Sequence, residues 1–124
     1  MRGLSNSLVL VVVLACPGVT PASAAEISAG AALQVKPNSI WFEDAAGLAR
    51  WQAKKRGDAA VFAAYEERLL HAREAWQFIN SLPVKILRYE PAKHRVNVQM
   101  TGEGRLRGSK WYLDPAALER EGKP

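Results

Sequence analysis

Cysteine is almost missing from this chain. The 124 residues hold one, Cys16, within an N-terminal stretch expected to be removed. The remaining chain has no disulfide to staple a small fold, so its stability must come from a packed core. Histidine is nearly as scarce: His71 and His94 are the only two, and with no cysteine beside them they make no Cys/His metal set. Long apolar runs are absent as well, since the run Leu8 to Ala15 is too short to anchor stably across a bilayer. Nor is there a strong excess of one charge. Lys and Arg number 17 against 12 Asp and Glu, and removal of Arg2 leaves 16 against 12, a net +4. Scattered and modest, that excess suits anionic envelope polymers and is too weak to indicate nucleic acid.

The catalytic inventory is thin for the same reasons. Ser39, Ser81, Ser109 and Thr101 lie in no nucleophile-elbow sequence. Gly102, Gly104 and Gly108 lack the lysine-hydroxyl ending and the following helix of a phosphate loop, and read as turn residues. Glu43-Asp44 and Glu66-Glu67 are adjacent pairs and do not make an acid/base couple. Glu67, His71 and Glu74 share helical spacing, which reads as a solvated face rather than a metal site. No enzyme, cofactor or metal is expected.

What is present begins with an export signal. Arg2, the apolar run and Ala22-Ser23-Ala24 together read as a secretory signal peptide over 1–24, cut after Ala24. About 100 residues then remain to fold. The chain is expected to be periplasmic or secreted, with no transmembrane segment after processing. The alternative is a lipoprotein anchored at Cys16 of Val13-Leu14-Ala15-Cys16. Valine first, leucine second and proline after the cysteine fit that pattern less well.

Residues 25–32, rich in small side chains, are predicted to be a flexible lead-in, and 33–124 a single α+β domain. Leu33-Gln34-Val35 and Ile40-Trp41-Phe42 read as short strands around a turn at Pro37. Asp44 caps a helix over about 45–56, with Lys54-Lys55-Arg56 complementing its last carbonyls and Gly57 taking a left-handed cap. Asp58 caps a second helix over about 59–80, whose stripe is Val61, Tyr65, Leu69, Ala72, Trp76 and Ile79. A meander over about 82–113 follows. In its second strand Val96, Val98 and Met100 face one way and Arg95, Asn97 and Gln99 the other. Trp111 and Leu113 share a face, as do Lys110 and Tyr112. The first strand is more apolar and is expected to be covered on both sides.

The turn-linked meander, Gly-rich loop, short aromatic strand and closing Asp114-Pro115-Ala116-Ala117-Leu118 resemble the closing half of bacterial SH3-like barrel domains. That resemblance covers the last third of the chain. It implies a small antiparallel SH3-like sheet or partial barrel, here with an inserted two-helix segment, and a non-catalytic exported module. Trp51-Gln52 and Ala75-Trp76-Gln77-Phe78 otherwise resemble a small uncharacterised exported bacterial family.

Four tryptophans remain to be placed. Trp51 and Trp76 read as core, while Trp41 and Trp111 lie near turns. The polar sheet face is predicted to carry Lys85, Tyr89, Arg95, Lys110 and Tyr112, a mix that would bind an acidic peptide or a glycan by charge and stacking. Two function classes are open. The first is a non-enzymatic periplasmic binding module for a cell-envelope polymer or protein. The second is an accessory subunit packing on a larger partner through its helical hairpin, with a small hydrolase a distant third.

Overall fold

The computed structural model describes residues 22–23 and 26–120. The apolar run, Cys16 and the expected cut after Ala24 lie outside the described residues. In chain order the elements are β1 (Ala32–Val35), β2 (Ile40–Trp41), α1 (Ala45–Lys55), α2 (Ala59–His71) and β3 (Trp76–Gln77), then β4 (Leu82–Glu90), β5 (Arg95–Met100), β6 (Lys110–Leu113) and β7 (Leu118–Glu119). Single 3₁₀ turns fill Pro91–Lys93 and Pro115–Ala117. The fold is α+β. Its main sheet is antiparallel with order β6-β5-β4-β1-β7, and β2 pairs β3 in a separate ribbon. Among the described residues the sheet is open, with β6 and β7 at its two ends and no closed barrel.

Alternation decides which side of the sheet is dry. Val96, Val98 and Met100 are buried while Arg95, Asn97 and Gln99 are not. Val98 lies between Ile86 and Trp111 across the strands. These side chains, with Leu33, Val35, Val84, Leu113 and Leu118, form the sheet core, and Trp41 closes it edge-on against Trp111 at 5.7 Å. Full burial of each aliphatic side chain contributes about 1.5–3 kcal/mol. β4 is not covered on both sides as its composition suggested. Lys85 and Arg88 are exposed, and the helices lie toward β6 instead.

The helices are built around a second cluster: Phe42, Leu48, Trp51, Tyr65, Leu69 and Ala75, with Ile40. Asp44 caps α1 by accepting from the Gly47 N–H at 2.6 Å. A Cβ at Gly47 would stand 3.3 Å from the Phe42 ring, so glycine lets the first turn of α1 settle on that ring. Asp58 caps α2 through the Val61 N–H at 3.0 Å. Gly57 does not take the expected left-handed cap; its N–H donates to the Lys54 carbonyl at 3.0 Å, and Arg56 at the cap is right-handed.

Two further expectations are corrected. α2 stops at His71 rather than near residue 80, because the chain turns out through Arg73 at φ 62°. The N–H of Glu74 reaches the Leu69 carbonyl at 2.9 Å and that of Arg73 the Leu70 carbonyl at 3.2 Å, a Schellman ending. Trp76 therefore sits on β3 opposite Trp41, while Ile79 and Val61 point out, 76% and 54% exposed. The lead-in is also packed from residue 26. Ile27 is buried in the sheet core, and Gly30 and Ala31 bond the Ile86 backbone at 2.7 and 2.9 Å. Before it, the Ala22 N–H donates to the Leu118 carbonyl at 3.2 Å.

Candidate functional site

Of the five side chains expected on the polar sheet face, the register places four there. Lys85, Gln99 and Lys110 form one cross-strand row, and Arg88, Asn97 and Tyr112 the next, with Arg95 beyond. Tyr89 is on the opposite side. The pairing steps from Ile86↔Val98 to Arg88↔Asn97, so Leu87 is an extra residue in β4, a bulge. After the bulge Tyr89 stands opposite Val96 and packs against the sheet core. The consecutive apolar pair Ile86-Leu87 is the one sequence sign of this break.

The four that share the face are not equally free. Arg95 donates to Glu90 Oε1 from Nε at 2.6 Å, and Arg88 meets the other carboxylate oxygen at 3.0 Å. The hydrogen bond from Arg95, aided by Arg88, holds the Glu90 carboxyl below the usual range. The Arg95 guanidinium also stands 5.9 Å from the centroid of the Tyr112 ring, and that ring packs against the helical cluster. The face thus keeps Lys85 and Lys110 as exposed cations, with Arg88 exposed but paired to Glu90, and offers no fully open aromatic ring. Nor do the tryptophans supply one, since Trp41, Trp51 and Trp111 are buried and Trp76, half-buried, packs against the sheet core.

Beside this face a cleft opens between α1 and the β4–β5 turn. Gln52 fixes the gap: its Nε2 donates to the His94 carbonyl at 2.7 Å and to Asp114 Oδ2 at 3.0 Å. Asp114 is held in turn, its other oxygen accepting from the Ala116 N–H at 2.8 Å to cap the last 3₁₀ turn. The cleft has a volume of about 420 Å³ and is lined chiefly by Gln52, Lys55, Arg56, Lys93, His94 and Asp114. Three permanent cations thus face one carboxylate. None of the three is in an ion pair among the described residues. Lys55 is steadied by the Trp51 ring, 4.9 Å from its Nζ. His94 holds the left-handed conformation at φ 48°, an uncommon and strained backbone for a non-glycine residue.

The Lys54-Lys55-Arg56 triplet reads in sequence as a helix ending, and Lys54 and Lys55 do sit in the last turn of α1. Not visible there is that Lys93 and His94 come to the same place. The only signal was two basic residues at a turn, and tertiary packing through Gln52 supplies the rest. Chemically the cleft can hold an anion by charge and hydrogen bonds. No hydroxyl or thiol lines it. Among the described residues, no three His, Cys, Asp or Glu side chains are grouped as a metal site requires, and no helix is long and apolar enough to cross a membrane. Comparison with protein-family models, with curated proteins and with solved structures finds no match to this chain.

Proposed function

We propose that the protein is a non-enzymatic exported module that binds an anionic cell-envelope polymer or protein, and that the ligand lies in the cleft between α1 and the β4–β5 turn. The observation that carries this reading is the convergence there of Lys55, Arg56 and Lys93 on a concave surface containing one carboxylate. The sheet face serves less well. Tyr89 is turned inward, Arg95 is engaged by Glu90, and Tyr112 is taken up by the helices. Recognition in this reading is by charge rather than by stacking. The β4–β6 meander followed by a 3₁₀ turn, with β7 returning beside β1, supports an SH3-like module into which the helices are inserted.

The test uses soluble anionic cell-wall fragments as probe. An Arg56→Ala/Lys93→Ala chain should keep its thermal midpoint and lose binding, and the wild-type affinity should fall as salt rises, because screening acts over about 10 Å at 0.1 M. A Lys85→Ala/Lys110→Ala chain should bind as wild type does. The reverse pattern returns the site to the sheet face.

The accessory-subunit reading is kept by one observation: α2 leaves Val61 exposed beside exposed Ala60 and Ala64. Its mark would be an envelope partner lost on Val61→Glu while both double-alanine chains retain it.

A further inference from the structure

The end of the sheet that carries the 101–109 loop takes no part in the cleft. There Phe78, Leu82, Met100 and Leu106 line a trough of about 500 Å³, in which Glu103 and Arg105 are the only charged side chains. Leu106 is 42% exposed, and Ile79, which follows Phe78 in the chain, is 76% exposed. These side chains leave an apolar surface open at this end of the sheet. Its surroundings are basic. Arg105 and Arg107 bracket Leu106, and Lys85 and Lys110 stand in the last outward-facing row at the same end of the sheet. The single acid among them, Glu103, is matched by Arg107 at 3.1 Å.

We infer that this end of the molecule seats on an anionic lipid bilayer, with Leu106 and Ile79 entering the boundary between headgroups and acyl chains and the four cations at headgroup level. Charge complementarity argues for this occupant. Two of the cations stand in the outward row of the sheet and two flank Leu106 in the loop, a spread that suits a plane of diffuse negative charge better than one carboxylate. The trough lining is aliphatic and aromatic apart from two charges, so it has little with which to direct a peptide by hydrogen bonds. Arginine stems can lie along apolar surface while their heads stay at the charged layer. Apolar insertion combined with basic residues is how peripheral proteins hold anionic membranes. Gly104 at φ 127° and Gly108 at φ 90° let the loop carry Leu106 outward between them. The inference is independent of the cleft.

The test is local to the loop, so that the N-terminal apolar run cannot imitate it. In the full chain, Leu106→Trp adds an indole whose emission is read as the difference from wild type. With vesicles of equal parts phosphatidylcholine and phosphatidylglycerol, that emission should shift to the blue and be quenched by bromolipid. Vesicles of phosphatidylcholine alone should leave it unchanged. Added Arg105→Ala/Arg107→Ala substitutions, or raised salt, should weaken the response several-fold. Should Leu106→Trp fail to fold, Leu106→Ser takes its place, and its partitioning onto the anionic vesicles should fall several-fold below wild type. No response to anionic vesicles, or an equal response to neutral ones, overturns the inference. A shift produced by polyglutamate or by raising protein concentration without vesicles also overturns it, assigning the patch to an acidic chain or to a second copy.

Discussion

Tyr89 has the residue type of a ligand contact and the position of a core residue. The difference is one bulged residue, Leu87, whose one mark in the sequence is the apolar pair Ile86-Leu87, since each half of β4 is regular by itself. Tyr89→Ala should therefore cost about 1–2 kcal/mol in urea unfolding, as a half-buried aromatic truncation, and leave anion binding unchanged. Lost binding at intact stability would restore it to the site. Its neighbour Glu90 makes a pH prediction. The Arg95 hydrogen bond depresses its folded pKa, so the contribution is fully present above the ordinary glutamate range and is lost as pH falls through the lowered value. Glu90→Gln should lower stability near neutrality and flatten the decline in acid. An unchanged acid limb in thermal melts would show that the pair does not matter. Elsewhere single residues were legible: Val96, Val98, Met100, Trp111 and Leu113 all face the core as their spacing predicts.

Elements were readable where their ends carry the usual residues. Asp44 and Asp58 cap both helices, and Pro115 follows Asp114 into the closing 3₁₀ turn. The end of α2 was not readable, because the left-handed position after its cap holds Arg73 where glycine is usual. The apolar spacing then ran on through Trp76 and Ile79, imitating a longer helix. Packing decides otherwise: Ala75 joins the helical cluster, and Trp76 pairs with Trp41 across β2 and β3. Arg73→Gly relieves left-handed strain of about 1–2 kcal/mol, against a smaller added cost in chain entropy of about 0.5–1 kcal/mol. A net gain of up to about 1 kcal/mol is expected, read from the denaturant midpoint at constant slope. Destabilisation by Arg73→Gly would contradict the helix ending described above.

Over the whole molecule, β2 and the residue after it join the two clusters. Ile40 and Phe42 enter the helical one, Trp41 the sheet core, and Phe42 exchanges both backbone hydrogen bonds with Tyr112 on β6 at 3.1 and 2.7 Å. Helices and sheet should therefore unfold together. Phe42→Ala should cost about 3–5 kcal/mol and move the far-UV circular dichroism and tryptophan fluorescence midpoints equally; separate midpoints would divide the domain. The cleft belongs to this scale too. Lys93 and His94 were visible as residues, but their approach to Arg56 depends on Gln52 of α1 bonding the His94 carbonyl across the cleft, which no local pattern encodes. The most direct measurement is an amide NMR titration of the folded chain with soluble anionic cell-wall fragments. A ligand seated in the cleft should give salt-sensitive shifts concentrated at Gln52, Lys55, Arg56, Lys93 and His94, with little change at Lys85 and Lys110. Shifts centred on the sheet face or on the outer side of α2, or none at low salt, would contradict it.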